Sequence, residues 1–142
     1  MKEIKFPKGE EAWNEEQVDA LLRIVEDIFH RKDIDALING FTEDCTFKFA
    51  EQPEQHGRKA LRRLFEARMA RQNNYRLKKE NLALQGNQLA NAWIGTWEDS
   101  VTGKKMEGHG VEVWVMRDGM IAEWDAAFNV WEAGGERRSA VM

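Results

Sequence analysis

Val18, Leu21, Leu22, Val25, Ile28 and Phe29 recur at spacings of three and four. That stripe predicts an amphipathic helix of about 16 residues, with Asn14 placed to cap its first turn. Asp33 opens a short second helix that buries Ile34, Leu37 and Ile38 and ends near Gly40. The period then changes. Thr46–Phe49 alternates as a short strand, with Cys45, Phe47 and Phe49 on one face. A loop around Pro53 spans 51–57. A third helix follows, carrying Ala60, Leu61, Leu64, Phe65 and Met69 on its stripe and ending near Asn73-Asn74. From Tyr75 to Gln85 the alternation is poor, which predicts an irregular strand, bulged or at a sheet edge. Gly86-Asn87 turns the chain into two long strands, Leu89–Glu98 and Lys105–Met116, joined across Thr102-Gly103. Asp118-Gly119 is the strongest hairpin signal, and the last strand runs from Met120 to about Val130.

The order is helix, helix, strand, helix, then four consecutive antiparallel strands. It predicts an α+β, cone-shaped fold, in which a curved, mostly antiparallel sheet wraps around three N-terminal helices. Such a sheet leaves an open mouth where an apolar interior meets water, a common ligand site. Residues 14–131 read as one domain, residues 1–13 as a polar arm, and the Gly-rich stretch 132–142 as a tail that frays.

Five of the six tryptophans fall between positions 93 and 131, inside the two hairpins. A two-residue turn at Asp118-Gly119 puts Val111, Val113 and Val115 opposite Ala126, Trp124 and Ala122, with His109 opposite Phe128. That face is apolar apart from the histidine and is assigned to the interior. Thr96, Ile94, Ala92 and Ala90 follow it inward, Thr96 beside His109. The other face then carries Trp93, Trp97, Trp114 and Met116 among Glu112, Glu123 and Asp125. So large an apolar patch is rarely left exposed, and aromatics and Met are enriched in interface cores. A homodimer contact about a two-fold axis is expected there, unless the tail or the arm covers it. A single bulge would shift the register by one and invert these faces.

Composition narrows the functional classes. The chain has 142 residues, 42% of them hydrophobic and 32% charged, and a formal charge of −4. The charge argues against nucleic acid as a partner. The basic run from Arg58 to Arg71 reads as a solvated helix face. Cys45 is the single cysteine, so no intrachain disulfide is possible, and a reducing cytoplasm is expected. The first residues, MKEIKFPKGEEAW, lack an apolar core for a signal peptide, and no window is long and apolar enough for a membrane helix.

Among candidate chemical groups, His109 stands first: an imidazole in an apolar mouth can transfer a proton near neutral pH. Its expected surroundings are Thr96, Trp124 and Phe128, with Cys45, Phe47 and Phe49 on the far wall. The competing reading is a hydrogen-bonded rim histidine between Gly108 and Gly110. Glu112 and Asp125 should lie opposite each other, a possible acid–base carboxylate pair. On an outer face, a partner's cation or water would satisfy them instead. His30, His56 and His109 are far apart and no cluster has metal-ligand spacing, so neither a metal nor another cofactor is expected.

The strand entry FTEDCTF, the helix GRKALRRLF and the hairpin DGMIAEWDAAF, in this order of elements, resemble the nuclear transport factor 2-like superfamily with its SnoaL-like polyketide cyclases. NNYRLKKENLAL, GNQLANAWIGTWED and GHGVEVWVMRDGMI are similar to segments of an uncharacterised bacterial branch of that superfamily. The likeness spans about residues 15–131. It implies a cone fold with a deep pocket, frequent dimerisation through the outer sheet face, and activities ranging from isomerases, cyclases, epoxide hydrolases and dehydratases to plain binding proteins. Where ketosteroid isomerases carry a catalytic Asp late in the first strand, this chain has Phe49. Their oxyanion Tyr falls near Val25 and their second Asp near Val111, while the SnoaL-type cyclase Asp falls on Ala126, one residue from Asp125. The expectation is a small-molecule-binding protein, either an acid–base isomerase, cyclase or hydratase acting on a small apolar organic substrate, or a non-catalytic ligand-binding or interaction module.

Overall fold

The computed structural model describes residues 3–134. The elements are α1 (Glu15–Arg31), α2 (Ile34–Asn39), β1 (Phe41–Phe49), β2 (Gln55–His56), α3 (Arg58–Arg71), β3 (Gln72–Gln85), β4 (Gln88–Asp99), β5 (Lys105–Arg117) and β6 (Met120–Glu132). Asn14 starts α1 with a reciprocal cap: its side chain accepts from the Gln17 N–H at 2.9 Å, and the Gln17 side chain accepts from the Asn14 N–H at 2.9 Å. Lys32, at φ 54°, ends the helix in the left-handed region. Asp33 caps α2 by accepting from the Ala36 N–H at 3.1 Å.

The six strands form one curved, unclosed, mixed sheet in the order β2-β1-β6-β5-β4-β3; β1 and β6 are parallel and the other pairs antiparallel. The helices fill its concave side. β2 lies within the stretch read as a loop, pairing Gln55 and His56 with Phe47 and Thr46. β3 is an edge strand whose register against β4 shifts twice, between Asn73 and Arg76 and between Asn81 and Ala83. Its free edge is not left open. The Leu77 N–H donates to His30 Nε2 at 2.9 Å, the Lys79 N–H donates to Glu26 Oε2 at 2.6 Å, and Arg23 donates to the Lys79 carbonyl. Side chains of α1 thus occupy backbone groups that would otherwise template another strand.

The decisive departure from expectation lies in the β5–β6 hairpin. Asp118 (φ 54°) and Gly119 (φ 73°) form the two-residue turn with both residues left-handed. Arg117 pairs with Met120 and Met116 with Ile121, but Val115 pairs with Glu123. Ala122 is therefore a bulge, and beyond it Trp114 pairs with Trp124, Glu112 with Ala126, and Gly110 with Phe128. One unpaired residue inverts both faces of β5, and β4 follows through its own pairing of Leu89 with Trp114 and Asn91 with Glu112. Trp114 (0% exposed) and Met116 (1%) sit in the core, and Trp93 and Trp97 pack against it from the same side. The four residues expected at a dimer contact thus face inward, and the valines expected inside face outward.

The arm packs at the end of the sheet where the β3–β4 and β5–β6 turns lie. Phe6 stacks on Trp13 with centroids 5.0 Å apart, and the Trp13 N–H reaches the Gly86 carbonyl at 2.9 Å. Gly9 donates to Asp118 Oδ1 at 2.6 Å, while the Asp118 N–H donates to the Gly9 carbonyl at 2.9 Å. Of the expected tail, residues 135–142 lie outside the described residues.

Candidate functional site

Between the helices and the concave sheet lies a cavity of about 540 Å³, open at the β4–β5 turn. That volume is in the range of small-molecule sites. Phe29, Phe49, Phe65, Trp93, Trp97, Trp124 and Phe128 are the aromatic residues of its wall besides Tyr75. Trp93 is seated on the two glycines that flank His109. A Cβ at Gly110 would come within 2.3 Å of the Trp93 indole nitrogen, and one at Gly108 within 3.0 Å of its ring. Glycine at both positions lets the indole lie flat on the strand.

At the cavity floor sits an ionic group. Lys79 Nζ pairs directly with Glu112 Oε1, donates to Asn91 Oδ1 at 3.0 Å, and lies 5.0 Å from the centre of the Trp114 ring. Trp124 Nε1 donates to Glu112 Oε2 at 2.9 Å. Both side chains of the ion pair are 2% exposed. Such a pair persists away from water only when partnered on all sides, and α1 fixes it by gripping the Lys79 backbone from both of its polar groups. A carboxylate offers about four acceptor positions. Lys79 and Trp124 take two, and Glu112 is among the residues lining the cavity.

Tyr75 and Arg68 face the same space. Burial first, and the Glu112 charge second, hold the Tyr75 phenol well above its ordinary value, with Arg68 opposing them; the hydroxyl is a donor throughout the neutral range. The Arg68 guanidinium carbon lies 5.2, 5.9 and 5.0 Å from the ring centres of Phe49, Phe65 and Phe128. Burial pulls its pKa down. At the rim, Arg71 grips Asp99 through two bonds of 2.7 and 3.0 Å, and Asp99 Oδ2 accepts from the Thr102 N–H at 2.8 Å and hydroxyl at 2.7 Å. Arg71 and then Thr102 hold the Asp99 carboxyl far below the usual carboxylate range.

Several expected site residues meet here. Trp124, Phe128 and Phe49 line the cavity. Phe47 and Cys45 are buried behind it, the Cys45 thiol pushed up by burial. His109 is exposed on the outer face, paired with Ile94 and Asn129, and Thr96 is exposed there between Arg76 and Glu107. The bulge that moves them outward also separates the carboxylates: Glu112 points in, while Asp125 is exposed opposite Val113. Arg68, Tyr75, Lys79 and Asn91 were not picked out from sequence, although faint signals exist. Arg68 falls on the α3 stripe with Leu61, Leu64 and Phe65, and Tyr75, Leu77 and Lys79 keep a strict alternation. Among the described residues no group of three His, Cys, Asp or Glu side chains could hold a metal ion.

Residues 21–124 match the family described as the SnoaL-like domain. The fold is similar to that of AusH from Aspergillus nidulans (15% identity over 83% of this chain and 86% of that one, TM-score 0.71). It is similar also to an LEH-like epoxide hydrolase of M. tuberculosis (16%, 80% of each chain, TM-score 0.62). A third likeness is to an NTF2-like protein of unknown function from Exiguobacterium sp. 255-15 (17%, 80% and 98%, TM-score 0.64). No functionally curated protein matches the chain in sequence. At such identities these structures speak for the fold alone.

Proposed function

The chain belongs to the SnoaL-like domain family, and on that premise we propose that its cone binds a small, mostly apolar organic molecule and moves a proton on it, with Glu112 as the acid–base group. The observation that carries this is a carboxylate on the wall of an aromatic cavity, held in place by Lys79 and Trp124, with the protonated Tyr75 hydroxyl facing the same space. Glu112 takes a proton from a carbon next to a carbonyl. The electron pair moves onto the carbonyl oxygen, where Tyr75 donates a hydrogen bond to the developing charge. Glu112 then returns the proton: to the same carbon the cycle only exchanges the hydrogen, while return to a conjugated carbon moves the double bond and isomerises the ligand. Lys79 and Asn91 are positioning residues.

A second reading, a non-catalytic binder, draws support from the direct Lys79–Glu112 ion pair, which by itself would only complete a polar floor. One experiment separates them. Ketones and acids with an acidic C–H are screened by thermal shift, and ligands that stabilise the protein are incubated with it in D2O and followed by NMR. Catalysis predicts exchange of the C–H for deuterium, slowed at least about 100-fold by Glu112→Gln and unchanged by His109→Ala. Binding without exchange, or exchange that survives Glu112→Gln in a protein that still melts cooperatively, would overturn the catalytic reading.

The same reading includes a homodimer joined through the outer sheet face. Ile94, Val111 and Val113, at 59%, 42% and 40% exposure, are contiguous across β4 and β5, with Ala92 and Ala127 beside Val111. An apolar sheet surface of this kind is ordinarily covered. A cytoplasmic setting, in keeping with the lone, buried Cys45, completes the proposal. Among the described residues no helix is long and apolar enough to cross a membrane.

A further inference from the structure

We propose that the cone's ligand is an organic acid, with an apolar body lying among the aromatic walls and one carboxylate pairing with Arg68. This rests on the reading of the cone as a ligand site and adds the chemical class of what it holds. Four cations line the cavity: Arg68, Arg71, Lys79 and Lys104. Three are committed, Arg71 to Asp99 at 2.7 Å, Lys79 to Glu112, and Lys104 to Glu132 at 3.7 Å. Among the described residues, Arg68 has neither a carboxylate nor a carbonyl on its guanidinium, which lies over the rings of Phe49, Phe65 and Phe128.

Those rings compensate a cation only in part. They leave the N–H donors of the half-buried Arg68 with no protein acceptor at the cavity wall. Such a fork is a matched receptor for a planar carboxylate, which it can bind through two parallel hydrogen bonds. The charge balance agrees. Arg68 and Lys79 face Glu112 alone, so a monoanion makes the interior neutral, whereas a phosphate dianion would leave it negative with every other lining cation already taken. The apolar body has its place against the wall that Trp93 and Phe128 form together, their ring centres 6.0 Å apart and in contact.

The test uses matched pairs of equal shape: phenylacetate with phenylacetamide, cyclohexylacetate with cyclohexylacetamide, and 4-phenylbutyrate with its amide. Affinities for the full chain are measured by ligand-observed NMR and titration calorimetry at pH 7. The acid of a pair should bind about 10- to 100-fold more tightly than its amide, as expected for hydrogen bonds between charged groups. Arg68→Met should bring acid and amide to within about twofold, and Arg68→Lys, which keeps the charge without the fork, should retain part of the preference. Should Arg68→Met fail to fold, Arg68→Gln makes the same test. Equal binding of acid and amide by the wild-type chain overturns the proposal and leaves the cone a ligand site. So does an acid preference that survives Arg68→Met, which would put the carboxylate elsewhere. Binding of no acid and no amide overturns both readings together.

Discussion

Tyr75 is the only tyrosine in the chain, so the state of one cavity wall can be read from a single phenol. A free phenol is about half ionised at pH 10. In the folded protein burial and the Glu112 charge favour the neutral form. The raised value makes Tyr75 a stabilising group below its ordinary pKa, and that contribution is lost as the pH rises above about 10. Absorbance at 295 nm should show little phenolate at pH 10 in the native protein and about half-ionisation in guanidinium-unfolded chain. Half-ionisation at pH 10 while the protein is still folded would mean that the cavity wall is wet. At this scale the sequence was only partly legible. Phe49, Trp124 and Phe128 could be assigned to the pocket because they lie on β1 and on the face of β6 that the bulge leaves inward, whereas Trp93, Trp97 and Trp114 lie on the strands it inverts. Arg68 and Lys79 could not, because a cation inside runs such as RRLFEAR and RLKKE looks like any solvated cation until the far side of the cavity is known.

Between elements, the end of α3 and the β4–β5 turn are tied together at the mouth. Besides the Arg71–Asp99 pair, the Ser100 N–H donates to the Arg71 carbonyl at 3.0 Å and the Ser100 hydroxyl to the Ala70 carbonyl at 2.8 Å. The Asp99 carboxyl is held below its ordinary value, so its stabilising contribution is complete above the unfolded value near about pH 4 and is lost as the pH falls through the folded one. Asp99→Asn should therefore lower the melting temperature at pH 7, and the gap should narrow progressively as the pH is taken from about 4 towards 2. A constant gap across that range would assign the effect to something other than the carboxylate. Helices and turns were the legible elements. Asn14, Asp33 and Asp118-Gly119 act through contacts within a few residues, which a linear reading can see. The bulge at Ala122 depends on packing between strands, and nothing local marks it; β2 is too short to carry a period.

For the whole molecule, the proposed dimer makes the outer sheet face the surface to test. Val111 is exposed and central to that face, so Val111→Glu costs the core little and places a charge at the proposed two-fold contact. Light scattering should report a dimer for the wild type and a monomer for Val111→Glu with an unchanged circular dichroism spectrum; a wild-type chain that is monomeric at tens of micromolar would refute the contact. The same geometry gives Ala122 a weight that its small side chain does not suggest. Deleting it would take out the bulge and keep Val115 opposite Glu123 and Trp114 opposite Trp124, so Glu112 and Trp114 would stay on the cone side; only a hairpin that keeps residue 122 and pairs it with Val115 would turn the valines and His109 inward. What equips this cone is thus whether residue 122 is paired or bulged out, not only which residues the hairpin contains. For the same reason, a residue-by-residue alignment across position 122 keeps its letters in step while the side chains they name look to opposite sides of the sheet.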